Sequence, residues 1–326
     1  QARVLHGAPG IGKTRLVLET LTAFGASVRA MVSDDPAALR EAIQDRGLLA
    51  HCPRAVLVLD DCPASRAEGV LVAFQRALAD TPDAHARLLV VVPEAARPDT
   101  RERAPRVMVE VLPPLQADAS RALVREELGA EHSGVERVAR LTEGYPRFAV
   151  LVAREVRGGA PLPHSTTDAA RYALAANDER SLQCVIDRAR ALVGITLVRR
   201  RVWRELDDAT RDAVANAIGL RDRKDWDDQL RACLRRGLLR DGRSWYVTPG
   251  VLVREAWRIV HAPDDPGGPL GPRIRRACPE LFDDLLVHLR EVGIDDTEFA
   301  SLAWSLLAEL RNTAPRPDAL PAQGLS

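Results

Sequence analysis

Eight residues constrain this chain more than any others. Gly7 is followed by four residues and then Gly12-Lys13-Thr14, and the motif lies between the apolar pair Val4-Leu5 and a run with helical period, Leu16, Val17, Leu18 and Leu21. The pattern G-x-x-x-x-G-K-[ST] between a strand and a helix is a P-loop in its required context. A glycine-rich turn lets successive backbone N–H groups point inward, and the helix that follows presents its positive end to an anion. The loop Gly7, Ala8, Pro9, Gly10, Ile11, Gly12, Lys13, Thr14 and Arg15 is therefore the candidate phosphate cradle. Lys13 would reach the β and γ phosphates, and the Thr14 hydroxyl would serve Mg²⁺.

Composition sharpens that assignment. Of 46 basic residues only Lys13 and Lys224 are lysines, so lysine is rare in this chain and yet stands at the one position where a compact ammonium suits a tight cradle better than a planar guanidinium. Basic and acidic residues balance at 46 each, which excludes a global field favouring nucleic acid or anionic membrane. The cysteines at 52, 62, 184, 233 and 278 form no C-x-x-C pair and read as reduced thiols. No apolar run reaches the ~18 residues of a membrane span, so the expected location is cytoplasmic. With Gln1 at its start and a strand beginning at once, the chain reads as a piece of a longer polypeptide.

Five strand-like runs alternate with helical patterns over the first 115 residues: Val4-Leu5, 26–33, 54–59, 87–92 and 107–112. Continuous apolar runs such as AVLVL and RLLVVV suit strands covered on both faces. The expected fold is α/β, a doubly wound parallel sheet with helices on both faces and the ligand at the strand carboxyl ends. Helices alone follow. Asp118 is expected to cap one ending near Gly129, a second spans 135–141, and a third begins after the Gly144-Tyr145-Pro146-Arg147 turn. Residues 160–167 (APLPHSTT) have linker composition, and helices followed by the segment around Asp241-Gly242 carry the ingredients of a winged helix. The expected boundaries are 1–114 for the NTPase core, 115–160 for a helical lid, 161–262 for the winged-helix-type domain, and 263–326 for a linker and C-terminal helices.

Asp60-Asp61 ends an apolar run about fifty residues after the loop, the pattern of a Walker B element. Asp60 would hold Mg²⁺, and Asp61 would orient or deprotonate the attacking water. A capped strand end is the plainer alternative. Arg97, close to the end of the 87–92 strand, is a candidate phosphate contact, though Arg101, Arg103 and Arg106 lie near it. The Gly144-Pro146 turn is either a simple helix-helix connection or the place where a lid meets the nucleotide, with Tyr145 beside it and Arg147 a secondary phosphate contact.

Taken together, HGAPGIGKTRLVLE, VLVLDD, the VLPPL step, LTEGYPRFAVLVA and the block RRGLLRDGRSWYVTPGVLVREAW resemble the STAND NTPases, the signalling branch of P-loop ATPases that includes NLR and apoptosome-type switches. The wording of the loop and of that last block is most similar to bacterial antiviral STAND proteins of the Avs type. The resemblance covers about residues 1–262. It implies a slow Mg-dependent ATPase used as a switch: ADP held between core, lid and winged helix, ATP exchange and self-association on activation, and output in antiphage defence or immune-like signalling. It matches Gly7, Gly12, Lys13 and Thr14 to Walker A, Asp60 and Asp61 to Walker B, and Gly144 and Pro146 to the GxP motif. Partners implied are the nucleotide, further copies of the chain, effector and sensor domains of the same polypeptide, and a phage or other protein trigger.

The pattern departs from the family at two places. Pro249-Gly250-Val251 stands where many relatives have Met-His-Asp, and Val92-Pro93-Glu94 stands where a polar sensor is usual. The rival reading is a DNA-handling or transcription-regulating AAA+ ATPase that uses its winged helix. Residues 199–243 carry thirteen Lys/Arg against nine Asp/Glu. Acidic residues interleaved at 222, 225, 227 and 228 disfavour a phosphate-facing helix.

Overall fold

Strands that must be buried on both faces need apolar side chains at successive positions, and the chain supplies them in its first hundred residues. The computed structural model describes residues 1–8, 10–25, 29–44, 49, 52, 54–62, 64–92, 107–175, 181–198, 206–240, 246–247, 249–260, 270–279 and 281. Pro9, the 93–106 segment with Arg97, Arg199-Arg200-Arg201, the Asp241-Gly242 turn and everything after 281 lie outside the described residues. The chain divides into two units, 1–163 and 164–326.

In the first unit β1 (Ala2–His6), β2 (Ala30–Ser33), β3 (Val56–Leu59), β4 (Arg87–Val91) and β5 (Val107–Val111) form one sheet in the order β2-β3-β4-β1-β5. Every pairing is parallel, with Leu5 opposite Val91 and Leu59 opposite Val90. Helices α1 (Lys13–Phe24), α2 (Pro36–Gln44) and α3 (Ala64–Asp80) alternate with the strands. The pleat sorts each strand between two cores. Val4, Leu57, Leu59, Leu88 and Val90 join Leu39 and Ile43 of α2 and Val70, Leu71 and Phe74 of α3 on one face. Leu5, Val58 and Val91 meet Val17 of α1 on the other. The second core is thinner, and Leu16, Leu18 and Phe24 of α1 remain about half exposed. Residues 26–33 alternate as a half-buried strand would, but β2, at the sheet edge, is mostly exposed.

Three helices complete this unit: α4 (Ala117–Leu128), α5 (Val135–Leu141) and α6 (Pro146–Arg157). Val124, Val138, Phe148 and Val152 are buried among them. The N-cap of α4 is Gln116 and not Asp118, which lies in the first turn. There its charge favours the helix dipole and pairs with Arg121.

The second unit is built around α8 (Leu182–Leu197), whose residues from Arg188 onward are all buried. Around it lie α7 (Thr166–Leu174), α9 (Asp208–Ile218), α10 (Arg223–Arg235) and α11 (Val251–Val260). The antiparallel pair β6 (Leu239–Arg240) and β7 (Tyr246–Val247) falls between α10 and α11. A last helix, α12 (Leu270–Ala277), packs on α9, with Leu270, Ile274, Cys278 and Leu281 fully buried. Burial also dictates the polar bonding. Glu255, wholly enclosed, accepts from Thr167 Oγ1 at 2.9 Å, Arg254 Nε at 2.9 Å and Arg258 Nη1 at 2.8 Å. Arg188 and Arg236 donate to the Leu174 and Ala173 carbonyls at 2.7 and 3.1 Å, placing cations at the C-terminal end of α7. Burial pushes the Cys233 thiol up to about 12, which leaves it protonated and inert.

Candidate functional site

The strand order brings the two motifs together. β1 and β3 flank β4, so their carboxyl ends lie about 10 Å apart at the usual strand spacing. β1 runs into the glycine loop and β3 into Asp60-Asp61. The first turn of α1 spans the gap: Thr14 Oγ1 donates to Asp60 Oδ1 at 3.1 Å, 46 residues apart in sequence. Asp60 is placed by its own N–H, which donates to the Ser33 carbonyl at 2.8 Å, and Cys62 N–H donates to Val91 O at 3.1 Å.

Lys13 is 7% exposed, and its ammonium donates to the Gly7 carbonyl at 2.5 Å and the Ala8 carbonyl at 3.1 Å. Ile11 N–H donates to Ala8 O at 3.2 Å and closes the loop, and Ile11 is buried. Gly7 has φ 154°, and a Cβ there would lie 2.6 Å from the Leu112 carbonyl oxygen, so only glycine fits. Gly10 and Gly12 also carry positive φ, 82° and 101°. Arg15 is on the outer side of α1 with its Nε 3.4 Å from Glu19.

Two non-glycine residues adopt left-handed backbone among the described residues, and both flank the predicted site: Asp61 at φ 57° and Glu143 at φ 52°. Sequence reasoning names Asp61 as the second Walker B acid but not as a left-handed turn, and does not name Glu143 at all, because a residue type favours a positive φ without fixing where one occurs. Glu143 precedes Gly144, at φ 72°, whose Cβ would lie 2.4 Å from the Leu115 carbonyl oxygen. Gly144 O accepts from Leu115 N–H at 2.9 Å, and Tyr145 N–H donates to Thr142 O at 2.9 Å. Pro146 then occupies the first turn of α6 with Tyr145 as its N-cap, and Arg147 follows, half-buried. Pro249 and Gly250 open α11 through Leu252 N–H to Pro249 O and Val253 N–H to Gly250 O, each 3.0 Å.

These residues fit a nucleoside polyphosphate with Mg²⁺. A hydroxyl and a carboxylate oxygen already adjacent are the hard donors Mg²⁺ takes from protein, the remainder being water and phosphate. Thr14 and Asp60 would hold that ion, which supplies charge neutralisation at phosphate oxygens. Lys13 and the loop N–H groups would hold the phosphates. Among the described residues no group of three or more His, Cys, Asp or Glu side chains is arranged to bind a metal, and no helix is long and apolar enough to cross a membrane.

The first unit is thus a five-stranded parallel sheet in which the G-x-x-x-x-G-K-T loop follows the first strand and an acidic pair follows the third. No protein-family model matches the chain, and no curated protein does. Solved structures that match include a signal transduction ATPase with numerous domains and a tetratricopeptide repeat sensor from Pyrococcus horikoshii. It is 13% identical with a TM-score of 0.40, over 94% of this chain and 55% of that one. A Walker-type ATPase of Pyrococcus abyssi is 12% identical with a TM-score of 0.42, over 78% and 90%. The Aeropyrum pernix ORC1 protein in complex with DNA is 14% identical with a TM-score of 0.38, over 82% and 87%. The chain thus spans 55% of the length of the Pyrococcus horikoshii protein.

Proposed function

We propose that this chain is the nucleotide-binding and oligomerisation module of a STAND ATPase, an ATP/ADP-controlled switch. The observation that carries the proposal is the Thr14–Asp60 hydrogen bond, which unites Walker A and Walker B in one acid-hydroxyl pair beside a buried Lys13. Lys13 binds phosphate by exchanging its bonds to the Gly7 and Ala8 carbonyls for phosphate oxygens. Thr14 and Asp60 would hold Mg²⁺. Asp61, half-buried on its left-handed turn, orients the attacking water and accepts its proton.

The STAND-like wording of residues 6–19 and 235–257 supports assignment to antiphage defence, with hydrolysis slow and serving to reset the switch. In this reading residues 115–160 are the lid, the helices and the β6-β7 pair of 161–262 are a winged helix, and 263–326 lead toward a sensor. Activation exchanges ADP for ATP and promotes self-association.

DNA handling by the second unit is disfavoured by how four of its described arginines are engaged. Arg236 bonds the Ala173 and Tyr172 carbonyls, Arg190 bonds Gly219 O, Arg231 pairs with Asp228, and Arg223 pairs with Asp208. An arginine held by carbonyls and carboxylates offers little to a phosphate backbone.

Calorimetric titration tests the proposal. The chain is expected to bind ADP and ATP with Mg²⁺, Lys13→Ala to abolish both, and Asp61→Ala to retain ATP and favour oligomers in sizing experiments. A chain that binds neither nucleotide would overturn the switch reading, and tight, salt-sensitive binding to duplex DNA would replace it with the DNA-handling one.

A further inference from the structure

We propose that Leu112–Leu115, the four-residue strap between β5 and α4, mechanically couples the P-loop to the Gly144-Tyr145-Pro146 turn, so that nucleotide in the loop alters the strap's grip on the three-helix lid. The inference rests on the nucleotide-switch reading above.

Each end of the strap is seated against a glycine that cannot be anything else. At the first end Leu112 N–H donates to His6 O at 2.8 Å, and its carbonyl oxygen fills the place a Gly7 side chain would take. At the other end Leu115 N–H donates to Gly144 O at 2.9 Å. A side chain on Gly144 would meet Leu115 O at 2.4 Å, Leu115 N at 2.9 Å and Pro114 Cβ at 3.0 Å.

Between these contacts stand Pro113 and Pro114, both exposed. Two prolines fix φ and hold the backbone extended as a semi-rigid spacer of ~3.1 Å per residue. A displacement at Gly7 is therefore passed on instead of being absorbed.

The source of such a displacement is on the same residue. Gly7 O accepts from Lys13 Nζ at 2.5 Å, so when the ammonium turns to phosphate the Gly7 peptide loses a partner while its other face still abuts Leu112 O. The receiving end is strained. Glu143, at φ 52°, holds a conformation unfavourable for a residue with a Cβ, and such backbone persists only where its surroundings over-determine it. Leu115 holds the adjoining residue, Gly144, through its N–H. The turn has the features of a bistable element, with one arrangement gripped by the strap and one released.

The Leu115 amide reports the grip directly. Hydrogen–deuterium exchange resolved at this amide would be measured on the 326-residue chain free, with ADP, and with a non-hydrolysable ATP analogue, beside calorimetry on the same samples. The protection of Leu115 is expected to differ between ADP and the ATP analogue by about fivefold or more. Replacing the diproline (Pro113→Gly with Pro114→Gly) is expected to leave binding intact and to remove most of that difference. Should both nucleotides bind while Leu115 protection stays the same in all three states, the coupling is refuted and the switch reading stands. A Gly-Gly variant that responds as fully as the parent would refute the strap's part in it. If neither nucleotide binds, the switch reading fails and takes the coupling with it.

Discussion

Asp61 shows how backbone and chemistry select one residue together. At φ 57° it occupies a region where Asp and Asn are several-fold enriched, because a short polar side chain bonds locally, and where a longer acid has no such compensation. The turn by itself favours an aspartate here over a glutamate. Asp61→Asn is expected to keep the fold within about 0.5 kcal/mol and to bind ATP while hydrolysis falls about a hundredfold or more. Asp61→Glu retains the charge but is expected to cost about 1 kcal/mol in backbone strain. Urea unfolding and phosphate-release rates on the two variants separate the contributions. Equal hydrolysis by the parent and Asp61→Asn would reduce Asp61 to a turn residue.

At the scale of elements, close packing outweighs intrinsic propensity. Gly194 lies buried in the last turn of α8, where alanine would gain up to about 1 kcal/mol of helix propensity. Its Cβ, however, would lie 2.6 Å from Trp226 Cζ2 and 2.8 Å from Ile218 Cδ1, and Trp226 is anchored by Nε1–H donating to the Ala191 carbonyl at 3.2 Å. Overpacking of this kind costs about 1–3 kcal/mol, so Gly194→Ala is expected to destabilise the second unit by about 1 kcal/mol or more net. A higher unfolding midpoint for this variant would contradict the packing described for α8 and α10. The same scale shows what was readable in advance. The five strands and the helices of the first unit follow from runs such as VLVL and from Pro36, Gly129 and Pro146 as punctuation. The exposure of β2 was not readable, because alternation reports which side chains share a face and not whether a neighbour covers it. The α4 cap was misread for a similar reason: Asp118 suits both an N-cap and a first turn, and the choice between them depends on where the Pro113-Pro114 strap delivers the chain.

For the molecule as a whole, the two units have separate cores and should respond differently to ligand. Scanning calorimetry is expected to show two transitions. Nucleotide at a hundred times its Kd is expected to stabilise the one belonging to residues 1–163, which hold Lys13, Thr14 and Asp60, by about 2.7 kcal/mol. Lys13→Ala should remove the shift, and a shift confined to residues 164–326 would place the site elsewhere. The candidate phosphate cradle was legible in the sequence alone, because a P-loop is a local device: spacing, glycine and one lysine suffice to aim backbone N–H groups at an anion. The meeting of Thr14 with Asp60, the left-handed turns at Asp61 and Glu143, and the seating of Gly7 and Gly144 on one strap were decided only by the tertiary structure. The Thr14–Asp60 contact and the seating of Gly7 depend on which strand lies beside which. In a sheet apolar on both faces that order is set by packing and hydrogen bonding between segments, and no single segment encodes it.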